Sequence, residues 1–158
     1  MPRLSPAPQS RSAWLADHME QLMASPHIHL SESGAMLAPG PVDMFSTRFD
    51  EMFMPGAHGY IGTDRVDRHQ LKECLLGLQR RWNVQTAQCK GMPPHETHTM
   101  EFHPDMAAKM QFTPLFMYPA HQETVMAEAR GAMVEGQERI AELMLEGDPA
   151  LFRHECEC

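Results

Sequence analysis

Proline sets the greatest length any regular element of this chain can reach. It fixes φ and removes a backbone donor, so a run containing it is broken, kinked or confined to a sheet edge. Pro26, Pro39, Pro41, Pro55, Pro93-Pro94, Pro104 and Pro114 divide the chain into short segments. Before Asn83 the segments read with helical period, and after it with the period of two that marks strands. Ser12 is placed to cap a first helix running to about Ala24, stopped by Ser25-Pro26. Leu15, Met19, Leu22 and Met23 form its apolar stripe, with Trp14 and His18 on an adjoining face. The stretch from Pro26 to Pro41 reads as a long loop, either a lid or a wrapped connection.

A second helix is predicted from Val42 to about Met54, ended by Pro55-Gly56. Ala57 to Ile61 is short and extended, closed by Gly62. The third helix, Arg68 to about Trp82, has a capping-box pattern in Asp67 and Gln70 and a stripe of Leu71, Cys74, Leu75, Leu78 and Trp82. A strand is predicted from Val84 to Lys90, ended by Gly91 and Pro93-Pro94. His98, Met100 and Phe102 alternate with Thr97, Thr99 and Glu101 in a half-buried strand pattern. Met110, Phe112, Phe116 and Tyr118 share one parity, interrupted by Pro114 as at an edge or bulge. His121 to Glu146 fits either an amphipathic helix or a hairpin around Glu135-Gly136-Gln137, and propensity alone does not choose.

At 158 residues the chain fits one domain that needs no disulfide or metal staple. Acidic residues outnumber basic ones 21 to 13, for a net charge of −8, which argues against a nucleic-acid or anionic-membrane binder. Arg80-Arg81 beside Trp82 is too small a basic patch to reverse that and reads as a solvated helix end. Apolar runs of only a few residues exclude a membrane-spanning helix. Met1 to Ser12 lacks the apolar core of a secretory signal, so a cytoplasmic protein is expected. The 15 methionines suit either an adaptable pocket lining or an ordinary core in which Met replaces Leu and Ile.

The order of these segments carries a resemblance. The second helix ends in Phe49-Asp50-Glu51-Met52-Phe53, a short strand closes on Gly62, and a third helix follows. Arg139-Ile140-Ala141-Glu142-Leu143 then leads into Glu146-Gly147-Asp148-Pro149-Ala150-Leu151-Phe152. From Ser12 to Phe152 the chain resembles the SnoaL-like branch of the nuclear transport factor 2-like superfamily. The resemblance implies an α+β cone, a curved and mostly antiparallel sheet wrapped around the N-terminal helices with an apolar pocket open at one end. It makes the last segment a hairpin. It spans a domain over 12–152; a disordered segment over the proline-rich 1–11 and a flexible tail over 153–158 are expected on either side. The Pro26 to Pro41 loop is longer than the family's usual connection.

Family enzymes such as the ketosteroid isomerase and scytalone dehydratase types work by proton transfer inside the cone, without a cofactor. The isomerase pattern places an Asp base on the strand after the second helix, where this sequence offers His58 and Tyr60. Parity places His98 with Met100 and Phe102, and Tyr118 with Phe112 and Phe116. If those faces line the cone, His98 acts as general base and Tyr118 as oxyanion donor. Tyr60 is then a second donor at the mouth and His58 a second base. For each the plain alternative is a core or rim polar group bonded to backbone. Asp148 is better placed to cap a turn than to do chemistry. No metal is expected, since His95 and His103 share one strand parity and His98 the other. The C-terminal Cys156 and Cys158 fit either a soft-metal ligand pair or incidental thiols. Two functions stay open: a cofactor-free isomerase, dehydratase or cyclase acting on a small apolar or aromatic molecule, or a non-catalytic ligand-binding or dimeric module. A homodimer is an expectation of the resemblance.

Overall fold

The computed structural model describes residues 8–26, 43–94 and 102–153. His95, His98, Cys156, Cys158 and nearly all of the Pro26 to Pro41 loop lie outside them. The described elements are α1 (Pro8–Met23), α2 (Met44–Met52), β1 (Phe53–Ile61), β2 (Asp64–Val66) and α3 (Arg68–Arg81). They continue with β3 (Gln88–Met92), β4 (Met106–Phe112), β5 (Glu123–Val134), β6 (Gln137–Glu146) and a closing 3₁₀ turn, Pro149–Phe152. None of these helices is long and apolar enough to cross a membrane.

The helices obey their local signals with one exception. Asp67 accepts from the Gln70 amide while the Gln70 side chain returns to the Asp67 amide, so both halves of the predicted capping box form. Asp43 caps α2 by accepting from the Ser46 amide at 3.1 Å. Asp148 caps the closing 3₁₀ turn through the Ala150 amide, as its sequence position implied. Ser12, in contrast, is not a helix cap. α1 begins at Pro8, where proline suits a first turn whose amides lack helical partners. The Ser12 hydroxyl is buried and donates to the Met92 carbonyl at 2.7 Å, while the Ala107 amide donates to it at 3.0 Å. It joins α1 to the adjoining ends of β3 and β4.

The sheet runs β2-β1-β6-β5-β4-β3, antiparallel throughout except for the parallel β1–β6 pair. Register shifts between Phe53 and His58 on β1, and between Arg130 and Gly131 on β5, bend it. This is the α+β cone arrangement expected from the sequence, and the segment after His121 is the hairpin. Glu135 and Gly136, with φ of 52° and 82°, form its two-residue turn, a left-handed pair that matches strand twist.

Strand limits differ from the sequence reading in four places. β1 starts at Phe53, directly after α2, and carries Pro55-Gly56 within its irregular stretch instead of ending a helix there. The short β2 was not anticipated. Val84 to Thr86 form a turn, and β3 runs through Gly91 to Met92. The reason is contact with α1: a Cβ on Gly91 would lie 2.7 Å from the Ser12 carbonyl carbon. Finally, β4 ends at Phe112, so Phe116 and Tyr118 leave the pleat that holds Met110 and Phe112 in the core.

All three helices cover one face of the sheet. Leu15, Met19 and Leu22 from α1, Phe45 and Phe49 from α2, and Leu71, Leu75 and Leu78 from α3 are fully buried there. They meet Met106, Met110, Val125 and Leu143 from the strands. Burying each such side chain stabilises the fold by about 1.5–3 kcal/mol relative to exposure. Met19, Met23, Met52, Met106 and Met110 all belong to this core.

Candidate functional site

The stripe that commits α1 to the core leaves Trp14 and His18 one position round the helix, at its border. There they stack, with ring centroids 4.3 Å apart. The His18 ring is held by its Nδ1, 2.9 Å from the Trp14 carbonyl. With a hydrogen on Nδ1 as donor, Nε2 of the neutral ring carries the free lone pair. This stack forms one wall of a cleft of about 580 Å³ between α1, α2 and the start of β6. α1 adds Gln21, α2 adds Arg48, Glu51 and Met52, and β6 adds Gln137, Glu138 and Arg139. The volume is that of a small-molecule site.

Charge is distributed unevenly around this cleft. Glu138 is neutralised from behind by Arg11, which also reaches Asp105 at 3.1 Å. The Glu138 carboxylate, foremost, holds the Arg11 guanidinium protonated above its ordinary range. Arg48 donates at 2.9 Å to the Ser25 hydroxyl and at 3.2 Å to the Gln21 carbonyl, both neutral oxygens. Arg139 buries its Nε without a hydrogen-bond partner. Among the described residues no carboxylate comes within ion-pair distance of either Arg48 or Arg139. In a chain of net charge −8, two arginines without a carboxylate partner among the described residues therefore line one cleft.

The histidine and tyrosine candidates lie elsewhere. On β1, Gly59 faces α3, since a Cβ there would meet the Leu71 side chain. Its neighbours His58 and Tyr60 consequently point to the opposite, helix-free face. There His58 Nε2 lies 2.7 Å from Glu142, in a contact poorly aligned for an N–H donor. Glu142 also accepts from Arg130 Nε at 2.9 Å, so one buried carboxylate links β1, β6 and β5. Tyr60 packs edge-on to His58 and against Phe102, with centroids 5.8 and 5.6 Å apart. The structure thus brings His58 and Tyr60 together. Tyr118 is 87% exposed in the connection from β4 to β5 and is not joined to them by any contact among the described residues. His98 lies outside the described residues.

Sequence reasoning placed Trp14 and His18 on a common border but missed Arg48, Arg139 and Glu142 as site residues. Arg139 lies on a strand whose neighbours Glu138 and Ile140 face a salt bridge and the core, which only the fold reveals. No protein-family model and no curated protein matches the chain. Among solved structures, it is similar to a chain in the crystal structure of the C. albicans Mtr2–Mex67 M domain complex. The identity is 11% and the TM-score 0.41, over 88% of this chain and 96% of that one.

Proposed function

We propose that this protein is a small-molecule-binding domain of the SnoaL-like, nuclear transport factor 2-like type, with its ligand in the cleft between α1, α2 and β6. The observation that carries this is the meeting, in a cleft of about 580 Å³, of a stacked Trp14–His18 platform with Arg48 and Arg139. An aromatic wall with a few fixed polar groups is the usual composition of a ligand pocket. The test is a ligand-observed NMR screen of planar aromatic fragments, followed by amide shift mapping on the full chain. Hits should move Trp14, His18, Arg48 and Arg139 together. Hits that move only β1 and the helix-free sheet face would refute the assignment.

A second reading, cofactor-free proton transfer, is favoured by the contact between His58 and Glu142 at 2.7 Å, with Tyr60 adjacent. A carboxylate this close to an imidazole supplies the parts of a general base once the ring turns to align its N–H, and a nearby phenol can stabilise an oxyanion. The remaining candidates, His98 and Tyr118, belong to the same reading. His58→Ala, and separately His98→Ala with Tyr118→Phe, should abolish turnover of a substrate and leave its binding intact. Retained turnover in both would remove the catalytic reading.

A further inference from the structure

We infer that the ligand of the cleft is a planar aromatic molecule bearing an anionic group, its ring on the Trp14–His18 stack and its anion on Arg139, with Arg48 as second cation. This rests on the cleft being the binding site, and it names the class of molecule the site selects.

The charge pattern is the first argument. Arg139 is half-buried in the cleft lining, and among the described residues no carboxylate comes within ion-pair range of it. Its Nε has no surface a ligand can reach, but the terminal guanidinium nitrogens are not enclosed in this way, and a carboxylate meets their charge as a neutral ligand does not. Arg48 is already oriented by two neutral oxygens, so it presents fixed positive charge without a competing internal anion. Glu138, the acid nearest in sequence to Arg139, is held by Arg11 instead. Glu51 is then the one free acid lining the cleft among the described residues, against two free guanidinium groups.

The second argument is shape. The Trp14 and His18 rings lie face to face, 4.3 Å between centroids and 27° between planes, so a ligand ring can extend the stack only on a ring face turned away from the pair. A flat ligand ring adds to such a stack in offset geometry. A fused two-ring acid fits a cleft of about 580 Å³ and can place ring and carboxylate at once.

The experiment titrates the full chain by calorimetry with 2-naphthoate and with its neutral isostere 2-naphthamide. The naphthoate should bind roughly tenfold tighter or more, the difference a charge-assisted hydrogen bond supplies. Its advantage should shrink as salt rises. Arg139→Gln should abolish the gap between the two probes, Arg139→Lys should keep part of it, and Trp14→Ala should weaken both probes alike. Should the two bind equally, or the gap survive Arg139→Gln, the anionic class is wrong although the cleft still binds. Should neither probe bind, or Trp14→Ala change nothing, the cleft itself is wrong and the inference falls with it. If Arg139→Gln lowers the melting temperature, Arg139→Lys against wild type decides alone: a gap reduced or lost in the variant supports the inference, and an unchanged gap, or no gap in wild type, overturns it.

Discussion

Replacing Ser12 by alanine removes one oxygen and exposes how α1 is attached to the sheet. The hydroxyl is fully buried, donates to the Met92 carbonyl at 2.7 Å and accepts from the Ala107 amide at 3.0 Å. Without it, a buried acceptor and a buried donor lose their partner together. Each orphaned group costs about 1–3 kcal/mol. Met92 and Ala107 are register partners, so their backbones can close part of the gap, which places the sum near the low end, about 2–3 kcal/mol. For a chain of this length that lowers the melting temperature by roughly 5–10 °C. Differential scanning calorimetry of Ser12→Ala against wild type reads this, with Glu20→Ala, at an exposed position of α1, as a control expected to stay within about 0.5 kcal/mol. A Ser12→Ala loss no larger than that of the control would show that the hydroxyl does not bridge the two strands. Because Trp14 is two residues away on the same helix, weakened fragment binding should accompany the loss.

Three further outcomes follow from the same contacts. Gly91→Ala should destabilise by about 1–3 kcal/mol in urea unfolding, because its Cβ would lie 2.7–2.9 Å from α1 backbone atoms that cannot rotate away. Glu142→Ala should cost about 1–3 kcal/mol, discounted for the partial exposure of Arg130, and Glu142→Gln less; equal stability of all three proteins would argue that the carboxylate does not link the strands. Burial, with Glu20 as a lesser cause, pushes the Cys89 thiol from 9.0 up to about 12, so the native protein should resist iodoacetamide at pH 8. The folded state then holds that proton over a range where the unfolded state has released it, so stability is full below about pH 9 and falls as pH rises toward 12. Urea unfolding across pH 8–11 should show a steeper decline for wild type than for Cys89→Ala, and parallel curves would refute the assignment.

Local signals were legible where a side chain acts on its own backbone. The Asp67–Gln70 box, the Asp148 cap and the stripe of Leu15, Met19 and Leu22 act within one or two helical turns, so adjacent residues suffice to read them. Ser12 misled because a serine ahead of an apolar stripe is equally compatible with capping and with burial, and its partners lie 80 and 95 residues away. Phe53 misled because it continues the helical spacing of Phe45 and Phe49, yet pairing with Ile140 draws it into a strand. Parity likewise aligned Tyr118 with Phe112 but could not register that the chain leaves the sheet after Phe112.

The sequence by itself determined that three helices precede a strand-rich half, because capping and apolar period are short-range and additive; for the last segment propensity did not choose, and only the family resemblance pointed to a hairpin. Which face of the sheet each residue occupies was decided only by tertiary structure, since a register shift of one residue reverses every side chain. His58 and Tyr60 point away from the helices because Gly59 is pressed against α3. Arg139 meets Trp14 across the cleft because the hairpin returns beneath α1 and α2. A site assembled from three elements distant in sequence has no local signature.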